Sequence, residues 1–131
     1  MVSELRKQER ANPRVLGWFE DVADEEIHIS VLVIGELRRG VETIRKRDEV
    51  QAASLERWLT RLMAAHAERI VPVDGRIAEE WGRLAAIRTG SVIDTLMAAT
   101  ALVHGFVLVT RNVQHVAWTG ASYLNPFVPQ R

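Results

Sequence analysis

The stretch SVIDTLMAATALVHGFVLV, residues 91–109, decides the fold. Ser91 is a typical N-cap residue, and the small and apolar residues after it predict a helix from about Val92 to His104, which Gly105 ends. The following run Phe106–Val109 is apolar throughout, which is typical of a strand buried on both faces of a parallel sheet. A helix that leads directly into such a strand indicates a βαβ unit and therefore the α/β class.

The rest of the chain alternates between strands and helices in the same way. Ile27–Ser30 alternates apolar and polar residues and predicts a short strand, after which Ser30 fits the N-cap of a helix that weakens or stops near Gly40. The other predicted elements are a helix that starts at Asn12-Pro13, a helix over about Arg47–Ala67, a strand over Arg69–Val73, a helix over about Ile77–Arg88 and a last short strand at Tyr123–Leu124. This order predicts a single α/β domain with a mostly parallel sheet flanked by helices.

Composition excludes several classes of protein. The 131 residues fit one domain, and 17 basic residues balance 17 acidic ones, which argues against polybasic nucleic-acid binding but permits a local basic patch. The absence of cysteine excludes disulfide scaffolds, thiolate zinc sites and cysteine nucleophiles. Met1–Arg10 is unlike a signal peptide, and no apolar run approaches the ~20 residues of a membrane span. We therefore expect a soluble, cytoplasmic protein.

Two acidic residues lie where a parallel sheet places its ligands, beyond the carboxyl ends of the strands. Glu36 is in the second turn of the helix after the first predicted strand, and Asp94 is in the first turn of the helix that leads into the most apolar strand. Thr110 and Asn112 follow that strand with a hydroxyl and an amide. Carboxylates with hydroxyl and amide neighbours form an oxygen-only site, which suits Mg²⁺ or Mn²⁺.

Each acidic residue also has a structural interpretation. Ser91 and Asp94 have the spacing of a capping box, so Asp94 could simply cap its helix. Glu36 could form a solvated helical ion pair with Arg39. Spacing alone leaves both alternatives open.

The same is true of the polar and basic residues around them. Thr110 and Asn112 are common turn residues after any strand. The runs Arg38-Arg39 and Arg45-Lys46-Arg47 fit a phosphate-binding rim, but they also fit a solvated helix face.

Whole segments of the chain resemble the PIN-domain ribonucleases, and most closely the VapC/FitB-type toxins of bacterial toxin–antitoxin operons. The segments that carry the resemblance are SVLVIGELRRG at residues 30–40, Val92-Ile-Asp94 leading into Ala98–Ala101, and Leu108–Asn112, with Val2–Lys7, Trp81-Gly82 and Asn125-Pro126 as weaker additions. They occur in the family's order and span nearly the whole chain. The resemblance implies a three-layer PIN-like fold over residues 1–131.

This resemblance also implies a Mg²⁺- or Mn²⁺-dependent endoribonuclease. Glu36 and Asp94 correspond to acids of the family's metal site, and Asn112, with Thr110 beside it, corresponds to the polar residue that closes the fourth strand. The implied mechanism is in-line attack of an activated water on phosphorus, with the ion stabilising the growing negative charge. Members of the family are typically homodimers that a cognate antitoxin protein holds inactive.

The sequence departs from the family pattern at two points that bear on activity. The family has a strand ending in an aspartate before the segment that matches Val2–Lys7, and this strand is absent from the sequence. His115 stands where the family often has another aspartate, and an imidazole is a poor ligand for Mg²⁺. We therefore expect weak or no ribonuclease activity, which should rise when the upstream strand is restored and rise further with the substitution His115→Asp.

Other functions remain as alternatives. A catalytically impaired PIN domain could bind RNA or an antitoxin without cleaving, and a metal-dependent phosphatase could use the same carboxylates on a small substrate. The amphipathic helices near Val15–Val22 and Leu55–Met63 predict an interface with a second copy or an antitoxin, with Trp18 or Trp58 as its anchor.

Overall fold

The computed structural model describes residues 27–125. Along the chain these residues form β1 (Ile29–Ser30), α1 (Val31–Arg45), α2 (Glu49–Ala65), a 3-10 turn (Ala67–Arg69), β2 (Ile70–Val71), α3 (Gly75–Ile87), α4 (Val92–His104), β3 (Leu108–Val109), α5 (Val113–Val116), a second 3-10 turn (Ala117–Thr119) and β4 (Tyr123–Leu124). The helix predicted at Asn12-Pro13, the Val15–Val22 face and Trp18 lie outside the described residues. No helix in the described part is long and apolar enough to cross a membrane.

The strands pair in parallel, as the alternation of strands and helices predicted. β1 pairs with β2, with Ile29 opposite Ile70, and β3 pairs with β4, with Leu108 opposite Tyr123. Within residues 27–125 these are two separate two-stranded sheets. The first three strands are shorter than their predicted spans, whereas β4 has the predicted bounds.

Helix α4 is the centre of the core. Six of its residues are buried, namely Thr95, Met97, Ala98, Ala99, Thr100 and Ala101. Met97, Ala98 and Ala101 pack with buried residues of α1 and α2, whereas Ala99 packs with Ile77 and Leu84 of α3. The small alanine side chains let neighbours approach α4 closely on both sides, so helix and strand layers meet around it.

The ends of α4 match the sequence prediction, because both have clear terminating residues. Ser91 is the N-cap, and Gly105 ends the helix in the left-handed conformation with φ of 70°. That conformation favours glycine, and it lets the amide of Phe106 donate to the carbonyl of Ala101 at 2.9 Å.

The predicted end of α1 near Gly40 is wrong, because the helix continues to Arg45. An internal glycine costs a helix about 1 kcal/mol relative to alanine. Burial of Val41 and packing of Ile44 against the core offset that cost. Tertiary packing therefore overrides the local signal.

Five charged side chains connect α1 to α2 and stabilise their packing. Arg38 contacts Glu42 at 3.1 Å and Glu56 at 2.7 Å, and Arg45 contacts Glu42 at 3.1 Å, Glu49 at 2.7 Å and Glu56 at 3.1 Å. Hydrogen bonds from Arg45 and then Arg38 lower the pKa of Glu42, and hydrogen bonds from Arg38 and then Arg45 lower the pKa of Glu56. We call these five residues the α1–α2 ion cluster.

Candidate functional site

The four residues selected from the sequence line one cavity of about 330 Å³. Glu36 comes from α1, Asp94 from the first turn of α4, and Thr110 and Asn112 from the segment after β3. The apolar part of its wall consists of Val33, Leu37, Ile93, Met97, Leu108 and Val116. We call this space the acidic cavity. It brings together oxygen donors from three separate stretches of sequence.

Asp94 does not serve as the cap of α4. Ser91 is the cap, and its hydroxyl oxygen accepts the amide N–H of Asp94 at 3.3 Å. The Asp94 side chain is 19% exposed, and its Oδ2 lies 2.8 Å from Nδ1 of His115. The capping-box spacing is therefore explained by the hydroxyl of Ser91, while the carboxylate of Asp94 belongs to the wall of the acidic cavity.

Glu36 is exposed on α1 at the edge of the same cavity. Its carboxylate makes no ion pair or hydrogen bond with any residue in the range 27–125, so the Glu36–Arg39 pair considered from the sequence is not formed there. Arg39 lines the cavity as well, and its guanidinium has no carboxylate partner in the same range. Glu36 and Arg39 thus both line the cavity. The carboxylate and the guanidinium contact neither each other nor another side chain of residues 27–125.

Thr110 and Asn112 differ in what their side chains do. Thr110 is 3% exposed, and its hydroxyl oxygen accepts the amide N–H of Asn112 at 2.9 Å, which is the turn role that the sequence left open. Asn112 precedes α5 without capping it, and its side-chain amide forms no hydrogen bond with the described residues. Of the two, Asn112 is the better placed to offer an oxygen to a ligand.

The donor set fits a small hard cation that keeps most of its waters. Glu36 and Asp94 supply carboxylates, and Asn112 supplies an amide oxygen, which are ligand types that Mg²⁺ and Mn²⁺ accept. No group of three or more His, Cys, Asp or Glu residues within the described ranges is arranged to hold a metal ion. Two carboxylates are sufficient for Mg²⁺, which is commonly bound through one or two of them and water.

A larger groove of about 610 Å³ continues from the acidic cavity and shares Glu36, Leu37 and Arg39 with it. Arg47 and Trp58 also line this groove. We call it the arginine groove. Trp58 is half-buried and packs against the core, so the sequence prediction of an interface anchor at this residue stays a prediction.

The two arginine runs are divided between two roles. Arg38 and Arg45 belong to the α1–α2 ion cluster, where carboxylates neutralise them. Arg39 and Arg47 line the arginine groove, and neither pairs with a carboxylate of the described chain. The interpretation as a solvated, ion-paired helix face therefore holds for Arg38 and Arg45, whereas a phosphate-binding role for Arg39 and Arg47 stays a prediction.

Sequence reasoning missed the role of His115. It was considered only as a replacement for a carboxylate, whereas the structure places its ring against Asp94, 21 residues earlier in the chain. No local spacing signals such a contact, because the two residues lie on different helices that only the tertiary fold brings together.

Comparison with known proteins gives the family of this chain. The family model described as PIN domain matches residues 2–117, so the chain belongs to the PIN-domain family. The sequence is 31% identical to the VapC ribonuclease Y4jK of Sinorhizobium fredii over 136 aligned residues, which cover 98% of this chain and 94% of that protein. It is 27% identical to the toxin FitB of Neisseria gonorrhoeae, over 97% of this chain and 94% of that protein.

Within the PIN-domain family the resemblance is therefore to the VapC/FitB type, as the sequence motifs predicted. The fold agrees: the crystal structure of FitAcB from Neisseria gonorrhoeae superimposes with a TM-score of 0.86, covering 96% of each chain at 22% identity. The predicted PIN-like α/β fold is confirmed.

Proposed function

We propose that this chain is a Mg²⁺- or Mn²⁺-dependent endoribonuclease that hydrolyses single-stranded RNA and acts as the toxin of a toxin–antitoxin pair. The observation that carries the proposal is the acidic cavity, where Glu36, Asp94 and Asn112 lie together next to an arginine. Membership of the PIN-domain family and similarity to a protein named as a VapC ribonuclease support it.

The proposed roles follow from the position and chemistry of each side chain. Glu36 and Asp94 would hold the divalent ion, and Asn112 would orient water or a phosphate oxygen beside them. The ion, when bound, supplies Lewis acidity and lowers the pKa of a water molecule. Arg39 would neutralise charge on the scissile phosphodiester, because its guanidinium lies at the same cavity. Apolar side chains such as Met97 line the same cavity and would strengthen these interactions by making their surroundings less polar.

The arginine groove suggests how a polymer is held. Arg39 and Arg47 lie along one groove that opens from the acidic cavity, which suits successive phosphates of a strand. A small phosphate ester would occupy the acidic cavity alone and gain nothing from Arg47. The groove therefore favours RNA over the small-substrate phosphatase considered from the sequence.

Cleavage of a labelled single-stranded RNA tests the proposed activity. We expect cleavage that requires Mg²⁺ or Mn²⁺, stops with EDTA and disappears in Asp94→Asn prepared in the same way. The Asp94→Asn protein serves as the control for contaminating nucleases. Cleavage that survives both EDTA and Asp94→Asn would refute the proposal.

Strand recognition is tested by the salt dependence of RNA binding, measured in the presence of Ca²⁺ to prevent cleavage. Each lost phosphate contact should reduce the slope of log K against log salt by about 0.7 for single strands. We expect this change for Arg39→Gln and for Arg47→Gln. Arg83→Gln is the matched control, because Arg83 is exposed on α3 and pairs with Glu80 away from both cavities. Equal slopes for all variants would contradict an RNA path along the arginine groove.

The proposed partners are a cognate antitoxin protein and a second copy of the chain, and the proposed location is the cytoplasm. Similarity to a protein named as a toxin supports the first of these. Co-expression with the product of the neighbouring open reading frame should yield a complex on size exclusion. Failure to form it would contradict the toxin–antitoxin assignment without affecting the nuclease assignment.

One observation favours the alternative, a catalytically impaired PIN domain that binds RNA or an antitoxin. The described part of the chain holds no cluster of three acidic or histidine ligands. Under this alternative, RNA binds with the same salt dependence but is not cleaved with any divalent ion, and His115→Asp adds a carboxylate that restores cleavage. Cleavage by the unsubstituted chain excludes this alternative.

A further inference from the structure

We propose that His115 is a positioning residue for the metal site: its Nδ1–H holds the carboxylate of Asp94 in the orientation that binds the ion. The proposal rests on the proposed function, in which Asp94 is a ligand. It assigns to this histidine a role that replaces the direct coordination expected of a carboxylate at the same place.

The contact defines the chemistry of the pair. Nδ1 of His115 lies 2.8 Å from Oδ2 of Asp94, and because a carboxylate only accepts, the ring nitrogen is the donor. A hydrogen bond of this length to an ionised acceptor is among the stronger ones in proteins. It occupies Oδ2 and leaves Oδ1 without a hydrogen bond from any residue between 27 and 125.

The positions of the two residues decide which of them faces the ion. Asp94 lines the acidic cavity together with Glu36, whereas His115 is absent from the residues that line it. The His115 side chain is 57% exposed and the Asp94 side chain 19% exposed. The imidazole therefore lies on the solvent side of the carboxylate. This is the arrangement expected of a group that orients a ligand from behind.

The backbone of His115 is held by hydrogen bonds on both its amide and its carbonyl, so the point from which the side chain extends is fixed. The indole N–H of Trp118 donates to the carbonyl of His115 at 3.0 Å, and the amide of His115 donates to the carbonyl of Asn112 at 3.0 Å. The next residue, Val116, is 1% exposed in the core. The guanidinium of Arg88 lies 5.6 Å from the centre of the Trp118 ring.

Fixing Asp94 before the ion binds matters more here than in a site with many carboxylates. Glu36 and Asp94 are the only two carboxylates proposed as ligands, so a badly oriented Asp94 would remove one of two anionic donors. A carboxylate that is already in place loses less rotational freedom on binding, so the ion is bound more tightly. Removal of an outer hydrogen-bond partner typically weakens metal binding about 10- to 100-fold.

Two isosteric substitutions test the proposal, with Mn²⁺ as the probe and electron paramagnetic resonance to count free Mn²⁺. The amide nitrogen of His115→Asn lies near the position of Nδ1, and that of His115→Gln lies near the position of Nε2. We expect His115→Gln to weaken Mn²⁺ binding about 10- to 100-fold and His115→Asn to stay within about threefold of the unsubstituted chain. Because the side chain is largely exposed, the urea midpoint of His115→Asn should be unchanged, and that of His115→Gln should fall only slightly through loss of one exposed hydrogen bond.

The outcomes separate this proposal from the proposed function. Unchanged Mn²⁺ affinity in His115→Gln overturns the positioning role and leaves the metal site intact. Equal weakening by both substitutions also overturns it, because a donor kept near the position of Nδ1 would then make no difference to Mn²⁺ binding. Absence of Mn²⁺ binding by the unsubstituted chain, or binding that persists in Glu36→Gln and Asp94→Asn, refutes the metal site and the positioning role together.

Discussion

The roles of Ser91 and Asp94 can be separated by one set of substitutions, since the structure gives the first to the helix and the second to the cavity. Ser91→Ala removes the N-cap of α4. Such a change lowers the free energy of unfolding by about 0.5–2 kcal/mol, with a typical value of about 1 kcal/mol. The hydrogen bond from the amide of Asp94 to the Ser91 hydroxyl is long at 3.3 Å, so we expect the lower half of that range. In a domain of this size, 1 kcal/mol corresponds to roughly 3–6 °C in Tm.

Asp94→Asn and Glu36→Gln should leave the stability of the metal-free protein nearly unchanged. Glu36 has no partner in the described chain, and an exposed substitution of this kind changes stability by about 0.5 kcal/mol or less. In Asp94→Asn the amide oxygen still accepts from His115. The lost charge in the first turn of α4 costs about 0.3–1 kcal/mol, and relief of repulsion from Glu36 offsets part of it.

Addition of Mn²⁺ should reverse the order of these variants. At ten times its dissociation constant, a ligand stabilises the native state by RT ln 11, or about 1.4 kcal/mol. We expect the unsubstituted chain and Ser91→Ala to gain this amount in urea denaturation followed by circular dichroism, and Asp94→Asn and Glu36→Gln to gain little. If Asp94→Asn is less stable than Ser91→Ala without metal and still gains the full increment with it, Asp94 is a structural residue and our reasoning is wrong.

Three further predictions concern stability and assembly. The pKa values of Glu42 and Glu56 are lowered, so the α1–α2 ion cluster stabilises the fold fully at pH values above the ordinary carboxyl pKa near 4.5. This stabilisation is lost as the pH falls through the lowered pKa values. The urea midpoint should therefore drop in that acidic range, and it should drop less steeply in Glu56→Gln. Leu59→Ala should cost about 2–5 kcal/mol, because Leu59 is 1% exposed, and a fall of less than 1 kcal/mol in calorimetry would show that the core around α2 is loosely packed. Trp58→Phe, which keeps an aromatic ring for the packing against the core, should weaken self-association in sedimentation, and an unaltered dimerisation constant would exclude Trp58 as an anchor.

The parts of the fold that the sequence predicts well are those with strong local signals. Ser91 and Gly105 bound α4 at the predicted residues because a hydroxyl cap and a left-handed glycine each have one dominant structural use. Gly40 misleads because its cost of about 1 kcal/mol is small beside the burial of neighbouring side chains. That burial is a property of the α1–α2 interface, which no local window contains.

The location of the candidate site could be predicted from the sequence, whereas the contacts between its side chains could not. Glu36 and Asn112 follow β1 and β3, and Asp94 begins the helix that leads into β3, which are positions where an α/β topology places its ligands; all three line one cavity. The contact of His115 with Asp94 and the division of the arginines depend on side-chain positions across elements. These positions are decided by packing and have no counterpart in sequence spacing.

Helix α4 links the stability of the fold to the geometry of the site. Met97 is 2% exposed and packs in the core with α1, yet it also lines the acidic cavity one turn after Asp94. Leu37 has the same double position on α1, one residue after Glu36. Met97 and Leu37 thus belong to one apolar cluster that includes residues of both helices that carry the two carboxylates. Since packed cores resist volume changes, this shared cluster limits how far the two helices can move relative to each other, and the hydrogen bond from His115 then acts on the orientation of the Asp94 carboxylate.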